Sequence, residues 1–212
     1  MPLIRHFHPN QNITVGIWRI TESLEKLISY TQLSEKEIQK FKDFKSEGRK
    51  LQWIATRKLL QTLLDKPGEI QYLDNKKPFL KGQDFNISIT HSKNFVALSL
   101  NSKSETGIDI ELPKSRIHNI KNRFLNDFEK SNFNCEDVEE LTKIWAAKEA
   151  LYKIFGDRNV FFKEHIQIHP PKNDTNKSFF TGDIIHMGNK HSYYLGFEKV
   201  DKHILVYIYD QL

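Results

Sequence analysis

Phe85-Asn86-Ile87-Ser88-Ile89-Thr90-His91-Ser92-Lys93-Asn94-Phe95-Val96-Ala97-Leu98-Ser99-Leu100-Asn101 is the stretch whose reading decides the fold class. Phe85, Ile87 and Ile89 alternate with polar residues, the two-residue period of a strand. His91 to Asn94 then form a polar turn, and Phe95 to Leu100 returns as a second apolar run. Two strands joined so closely form an antiparallel hairpin, because a parallel connection needs a crossover of a dozen or more residues. On either side of the hairpin the period becomes helical. Leu51, Ile54, Leu59, Leu60 and Leu63 mark an amphipathic helix from Glu47 to Leu64, stopped by Pro67 and Gly68. Leu141, Ile144, Trp145, Leu151 and Phe155 mark another from Asp137, with Gly156 as its stop.

The remaining segments fit the same frame. Asn12 to Ile20 reads as a strand, Glu22 to Tyr30 as a short helix, and Ser34 with Glu37 as a capping box opening a helix to about Phe44. Gly107 to Leu112 is a strand with Ile108, Ile110 and Leu112 on one side and Asp109 and Glu111 on the other. Val160 to His169, Ser178 to Ile185, Tyr193 to Phe197 and His203 to Tyr209 are strand-like, and Pro170 to Lys177 is a polar loop. The class is α+β with mostly antiparallel sheet. No repeat is visible in the sequence, and the seam falls near Ser102 to Thr106, giving halves 1–104 and 105–212.

With 212 residues, 38% hydrophobic, 28% charged and 12% aromatic, the chain can bury a core and is neither disordered nor fibrous. It lacks any run of about 18 uncharged apolar residues, and Met1 to Asn10 has no apolar centre of a secretory signal. The expectation is a cytoplasmic protein without a membrane role. Cys135 stands alone, which excludes an internal disulfide and a Cys-based zinc site. A net charge of +5 favours acidic partners without choosing among nucleic acid, phosphorylated small molecules and acidic proteins, and no block of like charge suggests a nucleic-acid tail.

Asp109 and Glu111 share a strand face with alpha carbons about 6.6 Å apart, so both can serve one hard cation such as magnesium. Taken as exposed strand carboxylates, they would add little to stability. Glu149 and Lys153 are i, i+4 neighbours on a helix, and Lys148 adds a second cation. Three acids beside two lysines suit neutralisation of a pyrophosphate, while a surface ion pair is the plainer alternative. Arg49 and Arg57 share a helical face with Trp53, a pairing that suits a phosphate or merely solvated charge. His6 with His8, and His165 with His169, lack a third ligand and read as surface histidines. Trp145 and Phe155 read as core, whereas Phe124, Phe128 and Phe133 read equally as core or as a flap for a partner.

Gly107-Ile108-Asp109-Ile110-Glu111, followed some 35 residues later by Trp145-Ala146-Ala147-Lys148-Glu149-Ala150-Leu151-Tyr152-Lys153, resembles the paired signature of the 4'-phosphopantetheinyl transferase superfamily. Asn75-Lys76-Lys77-Pro78-Phe79 resembles its Gly-Lys-Pro segment, with Asn75 where Gly is usual. Asn86 to Ser92 resembles its Asn-X-Ser-X-Ser-His segment, with Thr90 where Ser is commoner. The helix around Arg49 to Leu60 resembles the family's Arg-rich first helix, and the length matches the longer, duplicated type. The resemblance implies a pseudodimer of two α+β halves with the cofactor at their junction, hence a monomer. It implies magnesium-dependent transfer of the phosphopantetheine arm of coenzyme A to a serine of an apo acyl or peptidyl carrier protein, in fatty-acid, polyketide or peptide synthesis. Adenosine 3',5'-bisphosphate is released.

Carried over by position, Asp109, Glu111 and Glu149 would hold magnesium. Lys148 and Lys153 would contact phosphate, with Lys153 at the leaving group and Glu149, Lys153 and Asp109 catalytic. Thr90 and His91 would meet the nucleotide phosphates, and Lys76, Lys77 and Pro78 would line the adenine and ribose end. Either Arg49 or Arg57 would reach the 3'-phosphate. A metal-dependent nuclease is the enzymatic rival, but Leu112 and Pro113 follow Glu111 where that chemistry generally wants an acid before a lysine. A catalytically silent module binding carrier proteins or nucleic acid is the other rival.

Overall fold

A computed structural model describes residues 2–156, 159–171 and 179–212. The chain divides into two compact units, Met1–Glu105 and Thr106–Leu212.

The first unit begins with β1 (Leu3–Asn10) and β2 (Ile13–Arg19), then α1 (Leu24–Ser29), α2 (Glu35–Lys42) and α3 (Glu47–Leu64). Two short strands, β3 (Ile70–Tyr72) and β4 (Pro78–Leu80), precede the hairpin β5 (Asn86–Ser92) and β6 (Phe95–Asn101). The sheet runs β1-β2-β6-β5, with β3 and β4 paired separately and β4 lying against β5. One face of that sheet and α3 share a core of Trp18, Ile54, Leu59, Leu60, Ile87, Val96, Leu98 and Leu100. The Ser34–Glu37 capping box forms as its spacing predicts. β1 is an addition to the sequence reading, which had no strand partner on that side of β2.

The second unit comprises β7 (Ile108–Glu111), a 3-10 turn at Ser115–Asn119, α4 (Lys121–Phe124), α5 (Asp127–Asn132), α6 (Val138–Phe155) and α7 (Phe162–His165). Then come β8 (Ile166–His169), β9 (Phe179–His186), β10 (Asn189–Val200) and β11 (His203–Gln211) in a sheet ordered β7-β11-β10-β9-β8. The strand expected from Val160 opens instead with the single turn of α7, so only Ile166–His169 is extended. Of the polar loop and strand expected from Pro170 to Ile185, residues 172–178 lie outside the described ones. Phe124 and Phe133 are core residues under α6, while Phe128 is exposed. All described strand pairs are antiparallel. Among the described residues no helix is long and apolar enough to cross a membrane.

Each unit, taken by itself, carries the same internal fastening. In the first, a capping-box helix (α2) precedes an 18-residue helix (α3). In the second, the capping box Asn126–Glu129 opens α5 ahead of an 18-residue α6. The capping glutamate then holds a buried cation of the long helix. Glu37 accepts from Arg57 at 3.1 Å, and Glu129 binds Lys148 at 2.8 Å. Arg57 lies ten residues after Glu47, and Lys148 ten residues after Val138. The sheets agree as well, β2-β6-β5 matching β7-β11-β10 in order and direction.

Candidate active site

In the second unit, β7 and α6 approach closely because residue 107 is glycine: a Cβ there would lie 1.9 Å from the Ala150 carbonyl oxygen. That approach sets the acids of β7 beside the α6 turn carrying Glu149 and Lys153. The Lys153 ammonium donates to Asp109 Oδ1 at 2.8 Å and to the Ile108 carbonyl at 2.7 Å. Asp109 is 5% exposed, so the expectation of a solvated strand carboxylate is corrected: both faces of β7 are covered.

Burial pushes the Glu149 carboxyl up to about 7, with the charges of Asp109 and Glu111 adding to the rise and Lys153 opposing it. Glu111 is raised by burial and by Asp109, against the Trp145 indole N–H that donates to it. The three carboxylates therefore feel one another's charge. A hard divalent cation suits such an all-oxygen donor set by chemistry. Among the described residues, however, no three His, Cys, Asp or Glu side chains are gathered tightly enough to hold a metal. A cavity of about 350 Å³ opens beside Glu111, between Leu112, Lys114, Arg116, Ile117, Ile120, Thr142 and Trp145.

Trp145 has more than the core role assigned from sequence, since it packs edge-on to Phe124 and reaches Glu111. The signal was present. Trp145, Glu149 and Lys153 are successive i, i+4 neighbours and so share one face.

Lys148 is corrected. It is fully buried, and its ammonium meets Glu129 and the carbonyls of Phe124 (2.7 Å), Phe162 (2.8 Å) and Ile166 (2.7 Å). Three N–H donors facing four protein oxygens leave none for a phosphate. Desolvation draws its pKa below the ordinary lysine value and Glu129 pulls it back.

In the first unit the two arginines of α3 have different surroundings. Arg57 is 1% exposed, stacks 3.6 Å from the Trp53 ring centre and is committed to Glu37, so it is corrected from phosphate ligand to core fastening. Arg49 is exposed at the start of α3, and its Nη1 meets His91 Nε2 at 2.6 Å. Because guanidinium only donates, His91 accepts through Nε2. Gln52 holds the β5–β6 turn against α3 through the Lys93 carbonyl at 2.9 Å, which keeps His91 within reach of Arg49. Thr90, next to His91, is buried.

Lys76 takes the left-handed conformation (φ 69°) of the β3–β4 turn, while Asn75 stabilises that turn by accepting from the Lys77 N–H at 3.1 Å. Lys77 is bound to Glu105 at 2.8 Å, and Pro78 starts β4.

Residues 105–206 match the sequence model of the 4'-phosphopantetheinyl transferase superfamily. Over 115 residues the chain is 30% identical to "4'-phosphopantetheinyl transferase AcpT" of Salmonella typhimurium, covering 51% of this chain and 60% of that protein. The protein of the same name from Salmonella typhi matches equally, and that of Escherichia coli K12 is 30% identical with 59% of its length covered. The chain thus spans about 60% of the length of these curated relatives.

Proposed function

We propose that the protein transfers the 4'-phosphopantetheine arm of coenzyme A to a serine hydroxyl of an apo acyl or peptidyl carrier protein. The observation that carries this reading is the β7–α6 arrangement, in which Asp109, Glu111, Glu149 and Lys153 interact within the segment that matches the family. The names of the relatives support the same chemistry. Asp109, Glu111 and Glu149 would hold magnesium, which when bound neutralises charge on the pyrophosphate.

The serine oxygen bonds to the pantetheine-side phosphorus while the bond to the bridging oxygen breaks, and adenosine 3',5'-bisphosphate leaves. Glu149, the acid contributed by α6, accepts the serine proton. Lys153 spends two N–H groups on Asp109 and Ile108, and its third faces charge building on the departing oxygen. Arg49 and His91 hold the 3'-phosphate, a group remote from the reaction. We also read the two units as descendants of one duplicated ancestor, supported by their shared order and matched fastenings. The active form is proposed to be a monomer in the cytoplasm.

The test is incubation with coenzyme A, magnesium and several unrelated apo carrier proteins, followed by intact-mass measurement of each carrier. A gain equal to one phosphopantetheine on at least one carrier supports the reading. No gain on any of them overturns it.

A further inference from the structure

Lys148 lies within the family-matched segment beside Glu149, yet its ammonium faces inward. Its partners come from three surrounding segments: the end of α4 (Phe124), α5 (Glu129), and α7 with the start of β8 (Phe162, Ile166). Glu129 is itself pinned, accepting the Ile168 N–H at 2.8 Å and the Asn126 N–H at 3.0 Å. The ion pair therefore ties the middle of α6 to β8 and to the opening of α5. One residue further along α6 is Glu149 and five further is Lys153, both facing β7.

The first unit supplies an internal control. Arg57 occupies the same place in α3, is equally buried and holds the corresponding capping glutamate, Glu37. Yet β2 (Ile13–Arg19) carries no Asp or Glu, where β7 carries Asp109 and Glu111. A fastening that recurs where the acids are missing is not built to bind what the acids bind.

We infer that Lys148 is a positioning residue that never touches coenzyme A: with Glu129 it fixes the rotation and height of α6, and so presents Glu149, Lys153 and Trp145 to β7. The kinetic part of this inference rests on the proposed transfer reaction.

The test compares the parent with Lys148→Met, Glu129→Gln and the double variant. It uses thermal melting, transfer kinetics and the solvent-exchange rate of the indole N–H groups of Trp18, Trp53 and Trp145. Lys148→Met alone should melt well below the parent, because it strands the Glu129 charge in a dry site. The double variant should recover much of that loss, since a glutamine amide can accept from Ile168 and donate to the carbonyls Lys148 vacates.

In the double variant kcat should fall at least tenfold while KM for coenzyme A stays within twofold. Exchange of the Trp145 indole should quicken at least tenfold with Trp18 and Trp53 unchanged, because its bond to Glu111 depends on the setting of α6. A tenfold rise in KM at parental kcat would overturn the inference and make Lys148 a ligand. Parental kcat, KM and Trp145 exchange in a stably folded double variant would overturn it too, leaving only a contribution to stability.

Should the double variant not fold, Glu129→Gln decides, because it leaves Lys148 its three carbonyls. Lowered kcat with faster Trp145 exchange supports positioning, and no change in either overturns it. A parent inactive toward every carrier would sink the proposed function and not this inference, which the Trp145 exchange rate still reads.

Discussion

Glu149 shows how its neighbours make one carboxyl useful and costly together. Its pKa is raised from 4.5 to about 7 in the folded chain, so the native state holds that proton more tightly than the unfolded state does. The stability this gives is whole below about pH 4.5 and is lost as pH rises through about 7. Metal-free protein should therefore melt lower at pH 8 than at pH 5. Glu149→Gln should remove much of that slope, stabilising at pH 8 by roughly 1–3 kcal/mol and by little at pH 5, while abolishing transfer. Melting curves at the two pH values check it, and a parental slope in the variant would refute the assignment.

The two arginines of α3 should part in the same measurement. Arg57→Ala leaves Glu37 charged and unpaired in the interior and should cost about 3–5 kcal/mol. Arg49→Ala removes an exposed side chain and should leave melting nearly unchanged. It should instead raise KM for coenzyme A, spare kcat, and erase the preference for coenzyme A over dephospho-coenzyme A, which lacks the 3'-phosphate.

Among the elements, β7 and α6 carry the argument, and Gly107 is the point where they meet. Any Cβ there meets backbone at Ala150, which cannot swing aside as a side chain would. Gly107→Ala should separate strand and helix, lower melting by several degrees or more, and cut turnover beyond what the fraction folded explains. Circular dichroism melting beside kinetics on the folded fraction checks this.

Both long helices were legible in the sequence, α3 at its observed bounds and α6 within one residue, because apolar spacing and caps act locally. The hairpin β5–β6 was legible for the same reason. Strand β1 was not, since its histidines and proline show little apolar alternation and it gains order by pairing with β2. Lys148 and Arg57 were misread because charge ordinarily marks a wet face. Their positions held a contrary signal: Lys148 stands in the stripe of Leu141, Ile144 and Leu151, and Arg57 between Ile54 and Leu60. What local pattern could not reveal is the glutamate that makes each burial tolerable, 20 residues upstream of Arg57 and in a different helix from its partner in both units.

For the molecule as a whole, two units share one plan and only the second keeps the acids. Strand β2, Ile13-Thr14-Val15-Gly16-Ile17-Trp18-Arg19, holds no acid, whereas β7 holds Asp109 and Glu111. The likeness of the two units shows in the sheet order and the buried ion pairs and not in the sequence. On this account the reacting groups all lie in the second unit, on β7 and α6. The measurement that tests this most directly is a single-turnover time course of carrier modification, followed by intact mass, for the parent and Glu149→Gln with coenzyme A binding measured on both by calorimetry. The account predicts complete modification by the parent, at least a hundredfold slower modification by Glu149→Gln, and melting of the variant at or above the parent's. Modification of the carrier by Glu149→Gln at the parental rate would contradict it.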